Sequence, residues 1–316
     1  VDFGILGPLQ LTWEGLPVAL PGRVLPRLLA VLLLEAGHVV PLPKLVDAIW
    51  EELPPATAKR QIQNTVASAR GILLPTGTSE IETVGEGYRL RVRPEKLDSL
   101  RFQRAVRIAR EQEAASEPEA ALGSLREALD LWRGPTLAGF GGRVIEAGAR
   151  RWDEERAAAE ESRAELELGL ATGVPVVGDL RRVLEAHPYR QHTAELLMTA
   201  LYREDRPAEA LDVYESIRRQ LAEELGIDPG KRLKELHTAI LRDDPSLRAA
   251  ARTGAAPKAR VALPAPAQLP SDSIHFTGRA RELDVLDRLL GPGPQVAVLS
   301  GIGGSGKTTL ALHWAH

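Results

Sequence analysis

The spacing of hydrophobic and polar positions along the 316-residue chain changes twice. Up to residue 97, short alternating runs are mixed with helical ones. FGILGPLQLTW and LPVALP read as strands, and IETVGEGYRLRV reads as a hairpin around a Gly-containing turn. Between them lie three helical stretches, Leu25 to Gly37, Leu42 to Trp50 and Ala58 to Leu74. From 98 to about 247 the strand signal disappears. Apolar residues there recur every three or four positions, as in Leu197, Leu201, Ala210, Leu211, Tyr214, Ile217 and Leu221, which predicts an all-helical array. Residues 248–272 are rich in Ala and Pro and predict a linker. Residues 273–316 begin a further unit near Ile274.

Strands, three helices and a closing hairpin make the winged helix-turn-helix layout, whose third helix enters the DNA major groove. Pro54 and Pro55 stop the preceding chain, and Thr57 is placed to cap the third helix. At about 100° per residue, Ala58, Ile62, Val66, Ala69 and Leu73 fall on one side of it. Lys59, Arg60, Gln63, Asn64, Ala67 and Ser68 fall on the other, with no acid among them. Such a face is either a solvated helix surface or a base-reading one. Asn and Gln bind adenine bidentately, Arg binds guanine, and small Ala67 and Ser68 let the helix sit deep. Arg89, Arg91 and Arg93 alternate, so they share one face of the hairpin strand, positioned to meet phosphates. The candidate DNA-binding set is Lys44, Thr57, Lys59, Arg60, Gln63, Asn64, Ser68, Arg70, Arg89 and Arg91.

Two segments of the middle region resemble each other: EPEAALGSLREALDLWRG from Glu117 and RPAEALDVYESIRRQL from Arg206. Each has a Pro, small residues, then a helix with Ala-Leu and larger apolar residues. The pattern is similar to the second helix of tetratricopeptide repeats, in divergent form. His187, His192 and His237 do not share a helical turn in any pair, so they are read as structural rather than metal-ligating.

VAVLSGIGGSGKTTLALHWAH holds a complete GxxxxGK[ST] phosphate loop between an apolar strand and a helical pattern. Gly301, Gly303, Gly304, Ser305, Gly306, Lys307, Thr308 and Thr309 are the candidate nucleotide-binding residues. Lys307 would reach the β and γ oxygens of ATP, and Thr308 would ligate Mg²⁺. ATP and Mg²⁺ are expected for a full-length protein and not required by this chain. The string predicts a truncated start of a larger nucleotide-binding module, without hydrolysis by these 316 residues, because a Walker B acid and a water-orienting group lie further on.

Composition narrows these readings. Net charge is −3, but residues 1–97 balance ten basic against ten acidic side chains, so any DNA footprint is local. There is no cysteine, hence no disulfide and no thiolate metal site. No eighteen-residue apolar run and no signal peptide are seen, which predicts a cytoplasmic protein without a membrane partner.

The string from Leu25 through Leu73, with its Ala-Ile-Trp and Pro-Pro landmarks, followed by IETVGEGYRLRV, resembles the OmpR-type winged helix of the Streptomyces antibiotic regulatory protein family across residues 3 to 93. Trp50 and Tyr88 are landmarks assigned to packing. Where that family has Ser-Arg-Leu-Arg-Arg, this chain has Ala67, Ser68, Ala69, Arg70 and Gly71, which removes basic groups from the end of the helix. Residues 98–247 resemble the bacterial transcriptional activation domain that follows in the same family, through SLRFQRAVRIAR, EALDLWRGPTLAGF and LLMTALYREDRPAEALDVYESIRRQLAEELGIDPGKRLKELHTAIL. HFTGRARELDVLDRLL is similar to the start of NB-ARC nucleotide switches carried by large members.

The expected architecture is therefore mainly α: a winged helix (1–97), an all-α tetratricopeptide-like domain (98–247) that folds alone, a linker (248–272) and the start of a P-loop NTPase (273–316). The resemblance implies a transcription activator of secondary-metabolite genes that binds direct repeats in promoter DNA, engages RNA polymerase and pairs as a homodimer or oligomer. The alternatives are an ATP-driven switch, or a protein-interaction scaffold whose winged helix contacts protein.

Overall fold

A computed structural model describes residues 2–73, 79–247, 278–287 and 307–315. The chain divides into two units, Val1–Ala256 and Pro257–His316.

The first unit opens with an antiparallel sheet of β1 (Asp2–Gly4), β2 (Gln10–Trp13) and β3 (Leu16–Pro17), in sequence order. Then come α1 (Val24–Leu34), β4 (Val39–Pro41), α2 (Leu42–Trp50), α3 (Ala58–Leu73) and the hairpin β5 (Ser79–Val84) and β6 (Gly87–Val92). Helix α1 is apolar nearly all round, and it buries Leu25 and every residue from Leu28 to Leu33. It ends at Leu34, three residues before the expected Gly37. The chain then turns so that Gly37 donates its N–H to Leu90 O at 2.9 Å.

Strand β4 was not expected. Its three residues end in Pro41 and carry too short a pattern to read, yet Val39 and Val40 pair with Arg89 and Tyr88, which makes the sheet order β4-β6-β5. The approach is so close that a Cβ at Gly87 would stand 2.5 Å from Val40 O.

The helical part comprises α4 (Asp98–Ala114), α5 (Pro118–Leu129), α6 (Arg143–Gly169), α7 (Val177–Ala186), α8 (Gln191–Arg203), α9 (Pro207–Gln220), continued by a π-helical turn Leu221–Leu225, and α10 (Lys231–Leu241). The two similar sequence segments fold alike. Ser116 and Asp205 adopt φ +62° and +57°. Glu117 and Arg206 follow at φ/ψ −113°/64° and −117°/55°, and a proline then opens α5 or α9. Ala121 and Ala210 occupy the same place after that proline, and both are fully buried. Among the described residues no helix is long and apolar enough to cross a membrane.

Two hydrophobic cores divide this unit. The first runs from Phe3 to Ala159 without a break at residue 97, because it holds Ile5, Leu28 and Leu90 together with Phe102, Leu125, Ile145 and Trp152. The second gathers Ala164, Leu180, Leu197, Leu201, Tyr202, Tyr214 and Ile240. Helix α6 passes through both. The first core thus spans both the 1–97 and the 98–247 segments, and a buried carboxylate joins them. Asp98 accepts the backbone N–H of Ile5 (2.9 Å) and Leu6 (3.0 Å), and the Arg133 guanidinium at 2.8 Å. Arg133 also donates to Pro8 O and Gln10 Oε1. Its own N–H reaches Leu6 O, while that of Leu137 reaches Ile5 O. Gly4 leaves the room Arg133 needs, since a Cβ there would collide with the guanidinium.

In the second unit, Leu286 of α11 (Ala280–Asp287) and Leu310 of α12 (Lys307–Ala315) are buried.

Candidate nucleic-acid interface

Helix α3 forms where the apolar period is cleanest. Ala58, Ile62, Val66, Ala69 and Leu73 are all buried, as their spacing predicts, and they seat the helix against α1, α2 and β5. Lys59, Arg60, Gln63, Asn64, Ala67 and Ser68 are exposed on the far side. Neither Lys59 nor Arg60 has an acid within ion-pair distance among the described residues, and α3 itself contains no acid. The face therefore presents two free cations, two side-chain amides and a hydroxyl on a rigid support.

The other candidates are engaged by the protein. Arg70, at the end of α3, donates from Nε to Ile81 O (2.8 Å) and from Nη2 to Thr83 Oγ1 (2.9 Å), which ties the helix to the hairpin. The Thr57 hydroxyl accepts the Gln61 side-chain amide at 3.0 Å. Lys44 donates to Glu35 at 2.7 Å, fastening α2 to the end of α1. Trp50 and Tyr88 pack into the first core.

The hairpin holds a residue that the sequence reading missed. Glu82 lies directly across from Arg89 in the β5–β6 register. Arg89 donates from Nε (2.8 Å) and Nη2 (2.6 Å) to Glu82 Oε2, and Arg91 Nε pairs with Oε1 at 2.7 Å. The Arg89 hydrogen bonds, then the charges of both arginines, hold the Glu82 carboxyl below its usual range. Glu80 stands across from Arg91. Two acids thus share the strand face with two arginines, and Arg93 lies just past the end of β6. The signal was present in the sequence. A two-residue turn at Gly85 and Glu86 sets Val84 opposite Gly87, and counting back by pairs puts Glu82 opposite Arg89.

Charged side chains of one cleft in the helical region are paired with each other. A cleft of about 640 Å³ beside α6 and α7 is lined by Arg156, Glu160, Arg182, Glu154 and His187 among others. Glu160 takes both arginines at 3.1 Å, and His187 Nδ1 meets Glu154 at 3.1 Å. His192 lies near Glu165 and Glu195, and His237 stacks on Tyr214 with centroids 3.9 Å apart.

Of the nucleotide candidates, Gly301, Gly303, Gly304, Ser305 and Gly306 lie outside the described residues. Lys307 opens α12, and the backbones of Thr308 and Thr309 continue it.

Comparison with known proteins supplies an independent line. The family model "Bacterial transcriptional activator domain" matches residues 97–241. The regulatory protein AfsR of Streptomyces coelicolor is 39% identical over 324 residues, which cover 99% of this chain and 32% of that protein. This chain therefore spans about a third of the length of that relative. The regulatory protein DnrI of Streptomyces peucetius is 32% identical over 256 residues, or 78% of this chain and 94% of DnrI. Among solved structures, Mycobacterium tuberculosis EmbR in complex with a low-affinity phosphopeptide aligns with TM-score 0.70 and 33% identity, over 80% of this chain and 68% of that one.

Proposed function

The chain belongs to the Streptomyces antibiotic regulatory protein family of transcriptional regulators, and from that premise we propose that it is a sequence-specific DNA-binding activator whose α3 reads bases in the major groove. The observation that carries this is the acid-free outer face of α3, where Lys59, Arg60, Gln63, Asn64 and Ser68 stand exposed on a helix whose opposite side is wholly buried. Residues 1–97 act as a winged helix, with β5–β6 as the wing beside the phosphate backbone. The tetratricopeptide-like helices of residues 98–247 hold a second protomer and RNA polymerase. The DNA is a pair of direct repeats at promoters of secondary-metabolite genes. These assignments rest on the family and on the exposed face together.

A second reading, a nucleotide-responsive switch in a longer protein, is favoured by the GxxxxGK[ST] string. Lys307 at the first position of α12 suits the placement in which such a loop delivers its lysine to phosphates. ATP with Mg²⁺ is the cofactor proposed there.

The test is DNA selection from a random duplex pool, followed by binding of the variants. Arg60→Ala and Asn64→Ala should each cost about 1 to 3 kcal/mol on the selected site and relax the preference at one or two bases. Unchanged affinity and unchanged preference in both variants would refute the role of α3.

A further inference from the structure

The wing of a DNA-binding hairpin is ordinarily the place for sequence-independent phosphate contacts, and alternating arginines on β6 suit that purpose. Here, on the outer face of the hairpin, they are paired with an acid of the neighbouring strand. Both oxygens of Glu82 are taken, Oε2 by the Nε and Nη2 of Arg89 and Oε1 by the Nε of Arg91. Arg91 is well exposed, whereas Arg89 and Glu82 are half-buried, so the pairing is held by the strand register rather than by chance contact of long side chains. With Glu80 across from Arg91, the charges of Glu80, Glu82, Arg89 and Arg91 on this face cancel. Lys59 and Arg60 on α3, by contrast, have no acid beside them among the described residues.

We infer that Glu82 is a positioning residue that holds Arg89 and Arg91 away from the phosphate backbone, so that the wing grips DNA only where a phosphate displaces the carboxylate. The inference rests on the DNA-binding reading of α3. Its physical content is a competition. A carboxylate and a phosphate compete for the Nε-side donors of these guanidinium groups, and the carboxylate charge offsets their attraction for a phosphate while the pair is closed. Removing the carboxylate charge frees two cations at fixed positions on a strand. The salt dependence of binding then rises, because each neutralised phosphate releases counterions in proportion.

The measurement is fluorescence anisotropy of the 316-residue chain on a random-sequence 20-base-pair duplex and on the selected site, in a KCl series. Glu82→Gln should tighten binding to the random duplex several-fold and steepen the slope of log affinity against log salt by about 1 to 2, at roughly 0.9 per phosphate. Glu95→Gln removes the same charge from an exposed position without touching an arginine, and its slope should match the parent. On the random duplex, Arg89→Ala with Arg91→Ala should change the parent slope little, yet abolish the gain in the Glu82→Gln background. That last result is one a merely structural role for Glu82 would not produce. Circular dichroism melts establish that each variant is folded.

A folded Glu82→Gln chain with the parent slope overturns the inference. So does a parent slope on the random duplex that already falls by about 2 when both arginines are removed. Either result alongside weakened Arg60→Ala and Asn64→Ala variants leaves the α3 reading standing. Indifference of the selected site to those two α3 variants brings down that reading itself.

Discussion

In the first core, Asp98 closes on backbone groups 92 and 93 residues away, whereas in the second core α7, α8 and α9 each pack on the neighbour that precedes or follows them in the chain. The two regions contain similar helical hairpins, with matched turns at Ser116 and Asp205, so the difference does not lie in the hairpins themselves. It lies in what closes them. The α4–α5 hairpin buries Phe102, Leu125 and Ala128 in one core with the N-terminal sheet and α1, while α8–α9 buries its apolar side against α7, α10 and the end of α6. A helix pair of the same design thus serves as half of a mixed core in one place and as part of a helical stack in the other. The contrast bears on function, since the proposed DNA-reading helix shares its core with the start of the helical region. Long-range closure costs more chain entropy than local closure, so the first core depends more on a few specific contacts.

The largest effect expected from this contrast is on a fragment of residues 98–247. Although the sequence suggests that it folds alone, removing residues 1–97 takes away Ile5, Leu28, Leu90 and the rest of the N-terminal share of the core that Phe102, Leu125, Ile145 and Trp152 belong to. Amide exchange should find α8 to α10 protected and α4, α5 and the first half of α6 open. Uniform protection across the fragment would erase the distinction between the cores.

Next in size is Asp98→Ala in the whole chain. It strands the N–H groups of Ile5 and Leu6 and leaves Arg133 without its buried partner, at a cost of about 3 to 5 kcal/mol in denaturant unfolding. A loss under about 1 kcal/mol would show that the first core closes by apolar packing alone.

The smallest effect concerns acid. Burial works to raise the Glu161 pKa, but hydrogen bonds from Arg190 and Thr193 outweigh it and leave the group below its ordinary 4.5. A lowered folded-state pKa contributes stability that is present above about 4.5 and is lost as pH falls through the folded value. The melting temperature should therefore decline as pH drops below 4.5, and Glu161→Gln should flatten that decline. Trp50, Trp132 and Trp152 belong to the first core, whereas the second core's aromatic residues are Tyr202 and Tyr214, so tryptophan fluorescence reports the first core and the melt is followed by far-ultraviolet circular dichroism. An unaltered pH profile in the variant would remove Glu161 from the account.

What the chain's own pattern determined is local. The buried positions of α3, the hairpin at Gly85 and Glu86, the proline starts of α5 and α9 and the close-packed Ala121 and Ala210 all follow from residues within one element or one turn. Side-chain direction along a helix or strand is set by its own geometry, so periodicity reveals it. The free face of α3 was legible for the same reason. The partners were not. That Arg70 would be spent on Ile81 O and Thr83, that β4 would join the hairpin, and that Asp98 would bind the N-terminal strand depend on which distant segments meet. Those meetings are decided by burial summed over the whole core and by the need of each buried N–H and carbonyl for a partner, neither of which is a property of any short stretch of sequence.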